Sequence, residues 1–199
     1  MNVSTLQYND QHRLRHLLSI ETLNPTDLHT LATKARGMLV QNNMPKAPSL
    51  PPKTLANLFF EPSTRTRCAF ECAATQLGWH TLNFPVDTSA ALKGESYEDT
   101  LLTLAQMPID ALAIRHSENH AAQRAAELIG DKVHIINAGD GTNEHPTQSL
   151  TNMTAILEEG LDYKHMTIAI VGDIEHSRVA RSDLHALGIL APKAIHLIC

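Results

Sequence analysis

"ALAIRHSENHAAQRAAELIGDKVHIINAG", residues 111–139, holds a complete strand–helix–strand unit. ALAIRH (111–116) is an apolar run of strand length, NHAAQRAAELIG (119–130) has helical patterning, and VHIINAG (133–139) is a second apolar run. Two strands joined through a helix in this way point to a mainly parallel sheet. The same alternation extends in both directions. Upstream, LANLFF (55–60) reads as a strand, Thr64 to Leu77 as a helix, and HTLNFPV (80–86) as a strand. The polar loop DTSAALKGE then leads into a helix from about Ser96 to Met107. Downstream come a helix from about Thr147 to Glu159, the strand MTIAIVG (166–172), the helix SRVARSDLHALGIL (177–190) and the strand AIHLIC (194–199). Ahead of all this, LRHLLSI (14–20) and NPTDLHTLATKARGMLVQ (24–41) read as helices. Asn24 is placed to cap the second, with Pro25 at its first position and Asp27 in its first turn. KAPSLPP forms a proline-rich connector.

The fold class that follows is α/β, with two doubly wound parallel-sheet domains. The boundaries expected are 1–146 for the first domain, 147–160 for a linking helix, and 161–199 for the beginning of a second. That second unit holds only two strands and one helix, too little to bury a core alone, so the expectation is a portion of a longer protein.

Bulk properties narrow the function. The 199 residues carry a formal net charge of −5 with no basic run, which gives no support to a nucleic-acid or membrane-surface partner. The N-terminus lacks the apolar core of a secretory signal, and the expected compartment is the cytoplasm. Cys68 and Cys72, four apart on one helix, read as buried thiols packing as small apolar groups. The twelve histidines form no HExxH or His/Cys pattern, so no metal is expected.

The chemistry-bearing residues fall at the carboxyl ends of the predicted strands. Ser63, Thr64, Arg65 and Thr66 follow the first, Arg115 ends the third, His145-Pro146-Thr147-Gln148 follows the fourth, and Arg178 follows the fifth. In open α/β sheets, ligands bind along that edge. Hydroxyls, an arginine and a helix start together make a phosphate cradle, although Ser63 or Thr64 could equally serve as a plain helix cap beside surface arginines. It is not a Walker loop or a GxGxxG fingerprint. Arg115 would be costly to bury unpaired, and His116 points to the opposite face as a structural residue. Pro146 would hold His145 over the crevice, and Gln148 can read an amide because its side chain both donates and accepts. Lys93, four residues after Ser89 in the polar loop, reads as solvated or as part of a mobile lid. Arg178 reads either as a ligand or as a cation paired with Asp173 or Glu175.

FFEPSTRTR, KGES, IRH, AGDGTNEHPTQ and VGDIEHSRVARS occur in this order, and together they closely resemble the aspartate carbamoyltransferase family. STRTR and HPTQ are shared with ornithine carbamoyltransferases, whereas KGES and HSRVARS resemble the aspartate branch. The resemblance implies transfer of the carbamoyl group from carbamoyl phosphate to L-aspartate, with no cofactor. It implies that Ser63, Thr64, Arg65 and Thr66 hold the phosphate, and that Thr66, Arg115 and His145 surround the carbonyl oxygen. Gln148 would read the carbamoyl amide and Arg178 a carboxylate of aspartate. Ser89 and Lys93 would enter the site from a neighbouring subunit of a homotrimer, Lys93 also reaching aspartate. Regulatory or dihydroorotase-like chains could join a larger assembly. Two departures from the family pattern are Asn143, where glycine is frequent, and Thr151-Asn152, where a more apolar–acidic pair is usual; small geometric effects are expected from both.

Overall fold

The computed structural model describes residues 2–40, 52–85 and 95–199. Its elements run α1 (Val3–Gln7), α2 (Pro25–Val40), β1 (Thr54–Phe59), α3 (Thr64–Gln76), β2 (His80–Pro85), α4 (Tyr97–Leu104), β3 (Ala111–His116), α5 (Ala121–Ile129), β4 (His134–Asp140), α6 (Pro146–Glu158), β5 (Thr167–Val171), α7 (Arg178–Leu190) and β6 (Ala194–Ile198). Every pairing between these strands is parallel, in a four-stranded sheet ordered β2-β1-β3-β4 and a two-stranded sheet β5-β6. The chain leaves β1 toward β2 on one side and leaves β3 toward β4 on the other. Adjacent strands β1 and β3 therefore send their outgoing loops in opposite directions, which opens a crevice between them.

Helices cover both faces of the larger sheet. On one face, Leu58, Leu112, Ile114 and Ile135 pack with Leu101 and Leu104 of α4 and Ala122, Ala125 and Ile129 of α5. On the other, Leu55, Ala111 and Ala113 meet Ala74 and Phe70 of α3 and Trp79. A third cluster joins Leu28 and Ala32 of α2, Met153 of α6 and Ala186 and Leu187 of α7 to Ile168 and Ile170 of β5. Asn24 caps α2 as its sequence position predicts, its side-chain oxygen accepting from Asp27 N at 2.7 Å.

Two expectations are corrected. Residues 14–20 are not helical. They run extended along β4, with Leu17 N donating to Ile135 O at 2.9 Å and Asn137 N to Leu17 O at 2.8 Å. Side chains satisfy the rest of this backbone. Gln7 Oε1 accepts from Leu18 N and Ser19 N, and Glu144 Oε2 accepts from Ile20 N. With those bonds available, a helix is no longer needed to pair the amides. The second correction concerns Cys68 and Cys72, which are exposed. Helix α3 turns Phe70 and Ala74 to the sheet, and residues two positions away from these point outward.

Candidate active site

The site is built where β1 and β3 end. Their register sets Phe59 opposite Arg115, and Phe60 N donates to Arg115 O at 2.8 Å, so the next residue, Glu61, lies alongside the Arg115 side chain. Glu61 Oε2 is 3.3 Å from Arg115 Nε and accepts from Arg178 Nη2 at 3.0 Å. One carboxylate thus bridges two guanidinium groups brought together from β3 and α7. Arg115 Nη1 also donates to Ala138 O at 3.3 Å, whereas Arg178 Nη1 is buried with no hydrogen-bond partner among the described residues. Arg178 pairs with neither Asp173 nor Glu175; Asp173 instead bonds His176. Glycine is required at the floor of this arrangement. Gly139 has φ +113°, and a Cβ there would lie 3.0 Å from both Arg115 Nη1 and Arg178 Nη1.

Ser63 occupies the N-cap of α3 in an extended conformation, but its side chain makes no capping bond. The capping reading therefore fails for Ser63. The hydroxyl is uncommitted at the positive end of a helix dipole. Ser63, Arg65 and Thr66 line a cavity of about 510 Å³, and Arg115, His145, Gln148 and Arg178 line the same cavity. Thr64 faces instead a neighbouring cavity of about 340 Å³ that also touches Ser63 and Glu61. Ser89 and Lys93 lie outside the described residues. His116 is buried, accepts from Glu118 N through Nδ1, and packs against Phe60 and Tyr97, in keeping with a structural role.

His145 ends the turn after β4 and is the N-cap of α6, with Pro146 at the first helical position. The turn is held by Asp140, whose carboxylate accepts from Asn137 Nδ2, His120 N, Glu144 N and the Asn143 amide. Asn143 thus adds a tie to the turn that glycine could not supply. His145 N donates to Ser182 Oγ at 2.9 Å, which fixes the residue to α7. Burial, followed by the charges of Arg115 and Arg178, pushes the His145 pKa down to about 4. Its imidazole is therefore neutral near pH 7 and acts as a dipole rather than a third cation. Burial likewise lowers the Arg115 pKa, with Arg178 adding to the effect and Glu61 opposing it.

These shifts give a pH prediction. His16, buried against β4, also drops to about 4, again chiefly through burial. Between their ordinary value of 6.5 and about 4, the unfolded chain binds more protons than the folded one. Stability from both histidines is complete above about pH 6.5 and is lost as pH falls toward 4. His176, raised by its bond to Asp173, acts with the opposite sign but is exposed to solvent, so its weight is small. Urea midpoints measured across this window should fall steadily with pH, and a flat profile would contradict the burial of the two rings.

Glu61, Thr147 and Thr151 belong to the site or its lining although none of them was among the residues expected to bind ligand. Glu61 lies inside the FFEPSTRTR motif itself, and its signal was a lone carboxylate beside a cluster of anion donors. For a metal, Glu21, Glu144 and His185 bring ligand atoms within 4.8 Å of one another. The Glu144 oxygens already accept from Ser19, Ile20 and Ser182, which leaves the group poorly suited to an ion.

A parallel sheet whose strand ends gather guanidinium, imidazole, hydroxyl and amide groups about one cavity defines a small-anion-binding α/β domain. Residues 15–158 match the family "Aspartate/ornithine carbamoyltransferase, carbamoyl-P binding domain", and the chain belongs to that family. It is 42% identical over 198 residues to an aspartate carbamoyltransferase catalytic subunit of Xanthomonas campestris pv. campestris, covering 98% of this chain and 63% of the relative. Among solved structures, the catalytic subunit of M. jannaschii aspartate transcarbamoylase is similar with a TM-score of 0.81 and 34% identity, over 92% of this chain and 60% of that one. Aspartate transcarbamoylase from Trypanosoma cruzi in complex with aspartate and phosphate is similar with a TM-score of 0.79 and 33% identity, over 87% of this chain and 56% of that one. The chain thus spans about 63% of the curated relatives it matches. Among its described residues, no helix is long and apolar enough to cross a membrane.

Proposed function

We propose that this chain binds carbamoyl phosphate in the cavity between α3, β3, α6 and α7 and transfers the carbamoyl group to the amino group of L-aspartate. The products are N-carbamoyl-L-aspartate and phosphate. The observation that carries this reading is the convergence of Arg65, Arg115, His145, Gln148 and Arg178 on one cavity from four separate segments. Ser63, Arg65 and Thr66 hold the phosphate at the start of α3, and Thr64, whose side chain faces the neighbouring cavity, adds its backbone N–H at the helix N-terminus. Thr66, Arg115 and neutral His145 donate to the carbonyl oxygen, Gln148 reads the carbamoyl amide, and Arg178 receives a carboxylate of aspartate.

The reaction needs no protein nucleophile. The amine attacks the carbonyl carbon, charge grows on its oxygen, the bond to phosphate breaks, and the leaving phosphate takes the proton that the amine gives up. Donors fixed in advance around that oxygen and the leaving group stabilise this charge where it develops. Placing both substrates in one crevice removes most of the entropic barrier to their encounter. Arg178 Nη1, buried and without a partner among the described residues, suits a second anion next to the first.

The organisation proposed with this chemistry has residues 1–146 binding carbamoyl phosphate, 147–160 linking, and 161–199 opening the aspartate-binding part. Ser89 and Lys93 enter a neighbour's site in a cytoplasmic homotrimer. The test is to incubate the 199-residue chain with carbamoyl phosphate and either L-aspartate or L-ornithine, measuring both ligand binding and product. N-carbamoyl-L-aspartate formation supports the full reading, and binding without turnover supports the carbamoyl phosphate half alone. Product from ornithine would overturn the choice of acceptor. Failure to bind carbamoyl phosphate would overturn the whole.

A further inference from the structure

The Gln148 amide could face the cavity either way round, with its oxygen or its nitrogen inward, and its neighbours determine which. Gln148 Nε2 donates to Asn152 Oδ1 at 3.1 Å, one turn further along α6. Asn152 Nδ2 in turn donates to Asp183 Oδ2 at 2.7 Å on α7. The two helices are pinned at this level by Ser149 Oγ, which donates to Ser182 O at 3.2 Å.

An ionised carboxylate accepts hydrogen bonds and has none to donate. Asn152 must therefore turn its NH₂ to Asp183, which leaves its oxygen toward Gln148. Gln148 must then give its NH₂ to Asn152, and its Oε1 remains for the cavity. We infer that Asp183, acting through Asn152, fixes the Gln148 amide with its acceptor toward the ligand, and so selects a ligand that brings an N–H to that position. Asp183 and Asn152 are positioning residues, since neither lines the cavity. Asp183 is also a poor choice for stability alone. Its buried Oδ1 has the Ser149 hydroxyl nearby, but that hydroxyl donates to Ser182 O, so the carboxylate is under-satisfied among the described residues at a cost to folding that an apolar residue would avoid.

The inference rests on the carbamoyl phosphate reading, and its test separates the two. Acetyl phosphate matches carbamoyl phosphate in shape but carries a methyl group where the carbamoyl NH₂ stands. Affinities for both are measured by calorimetry on the full chain at mildly alkaline pH, because burial pushes the Asp183 pKa up. The parent should prefer carbamoyl phosphate. Asp183→Leu should lower that preference about tenfold while leaving acetyl phosphate binding unchanged. Adding Asn152→Asp to Asp183→Leu should restore the preference, since a carboxylate at position 152 accepts directly from Gln148. Asn152→Ala cuts the relay at its middle and gives a second reading if Asp183→Leu fails to fold. An unchanged preference in these variants overturns the relay, as does equal weakening of both ligands with no rescue. A parent that binds neither ligand overturns the functional reading itself, and the relay with it.

Discussion

Replacing Arg65 by alanine is expected to weaken carbamoyl phosphate binding about a hundredfold and to leave stability within about 0.5 kcal/mol of the parent. Arg65 lines the cavity at the first turn of α3, is exposed, and makes no ion pair among the described residues. Its removal therefore takes away a planar donor fork without stranding a partner. A charge-assisted, two-point contact to a phosphate is worth about 1.5–3 kcal/mol, which converts to roughly 10- to 150-fold in affinity. Arg115→Ala makes an instructive contrast. That change also strips Glu61 of one of its two cationic partners, so binding and stability should fall together. Titration calorimetry and urea unfolding on the two variants would separate these cases. An Arg65→Ala protein that binds within threefold of the parent would remove the phosphate cradle from the account.

Glu144→Ala is expected to cost about 3–5 kcal/mol of folding stability, far more than the loss of Arg65. Glu144 is 3% exposed, and its carboxylate accepts from Ser19 Oγ, Ile20 N and Ser182 Oγ. It ties three segments at one point: the extended stretch before α2, the turn that carries His145, and helix α7. Truncation leaves two hydroxyls and an amide buried without acceptors, and each is penalised more than a bond that is never made. Because Ser182 Oγ also receives His145 N, the imidazole should lose its fixed orientation as well. Urea midpoints give the stability change, and carbamoyl phosphate affinity at low denaturant gives the effect on the site. A loss below about 1 kcal/mol would show that these segments are held by something else.

A consistent physical pattern separates what was legible in the sequence from what was not. β3 was legible residue for residue at 111–116 because its apolar run is of strand length and is followed at once by polar Arg115, His116 and Ser117. The meeting of Arg65, Arg115, His145 and Arg178 at one cavity was legible because strand–helix alternation puts the residues that follow each strand on one edge of the sheet. Residues 14–20 were not legible. Their apolar spacing suits a helix, and the bonds that hold them extended come from Gln7, Glu144 and β4, the last two more than a hundred residues away. Cys68 and Cys72 were misread for a related reason: spacing reveals that two residues share a helix face, but not which face meets the sheet. Glu61 was in plain view within the FFEPSTRTR motif, yet its pairing depends on the β1–β3 register, and no local pattern encodes that. The Gln148–Asn152–Asp183 chain is hidden in the same way, since its last link crosses from α6 to α7.

The most direct test of the central claim is a crystal structure of the full chain grown with carbamoyl phosphate. The account predicts phosphate density at the first turn of α3, against Ser63, Arg65 and Thr66, with the carbamoyl group directed toward Arg115, His145 and Gln148. Density for the ligand in any other cavity, with these side chains uninvolved, would contradict it.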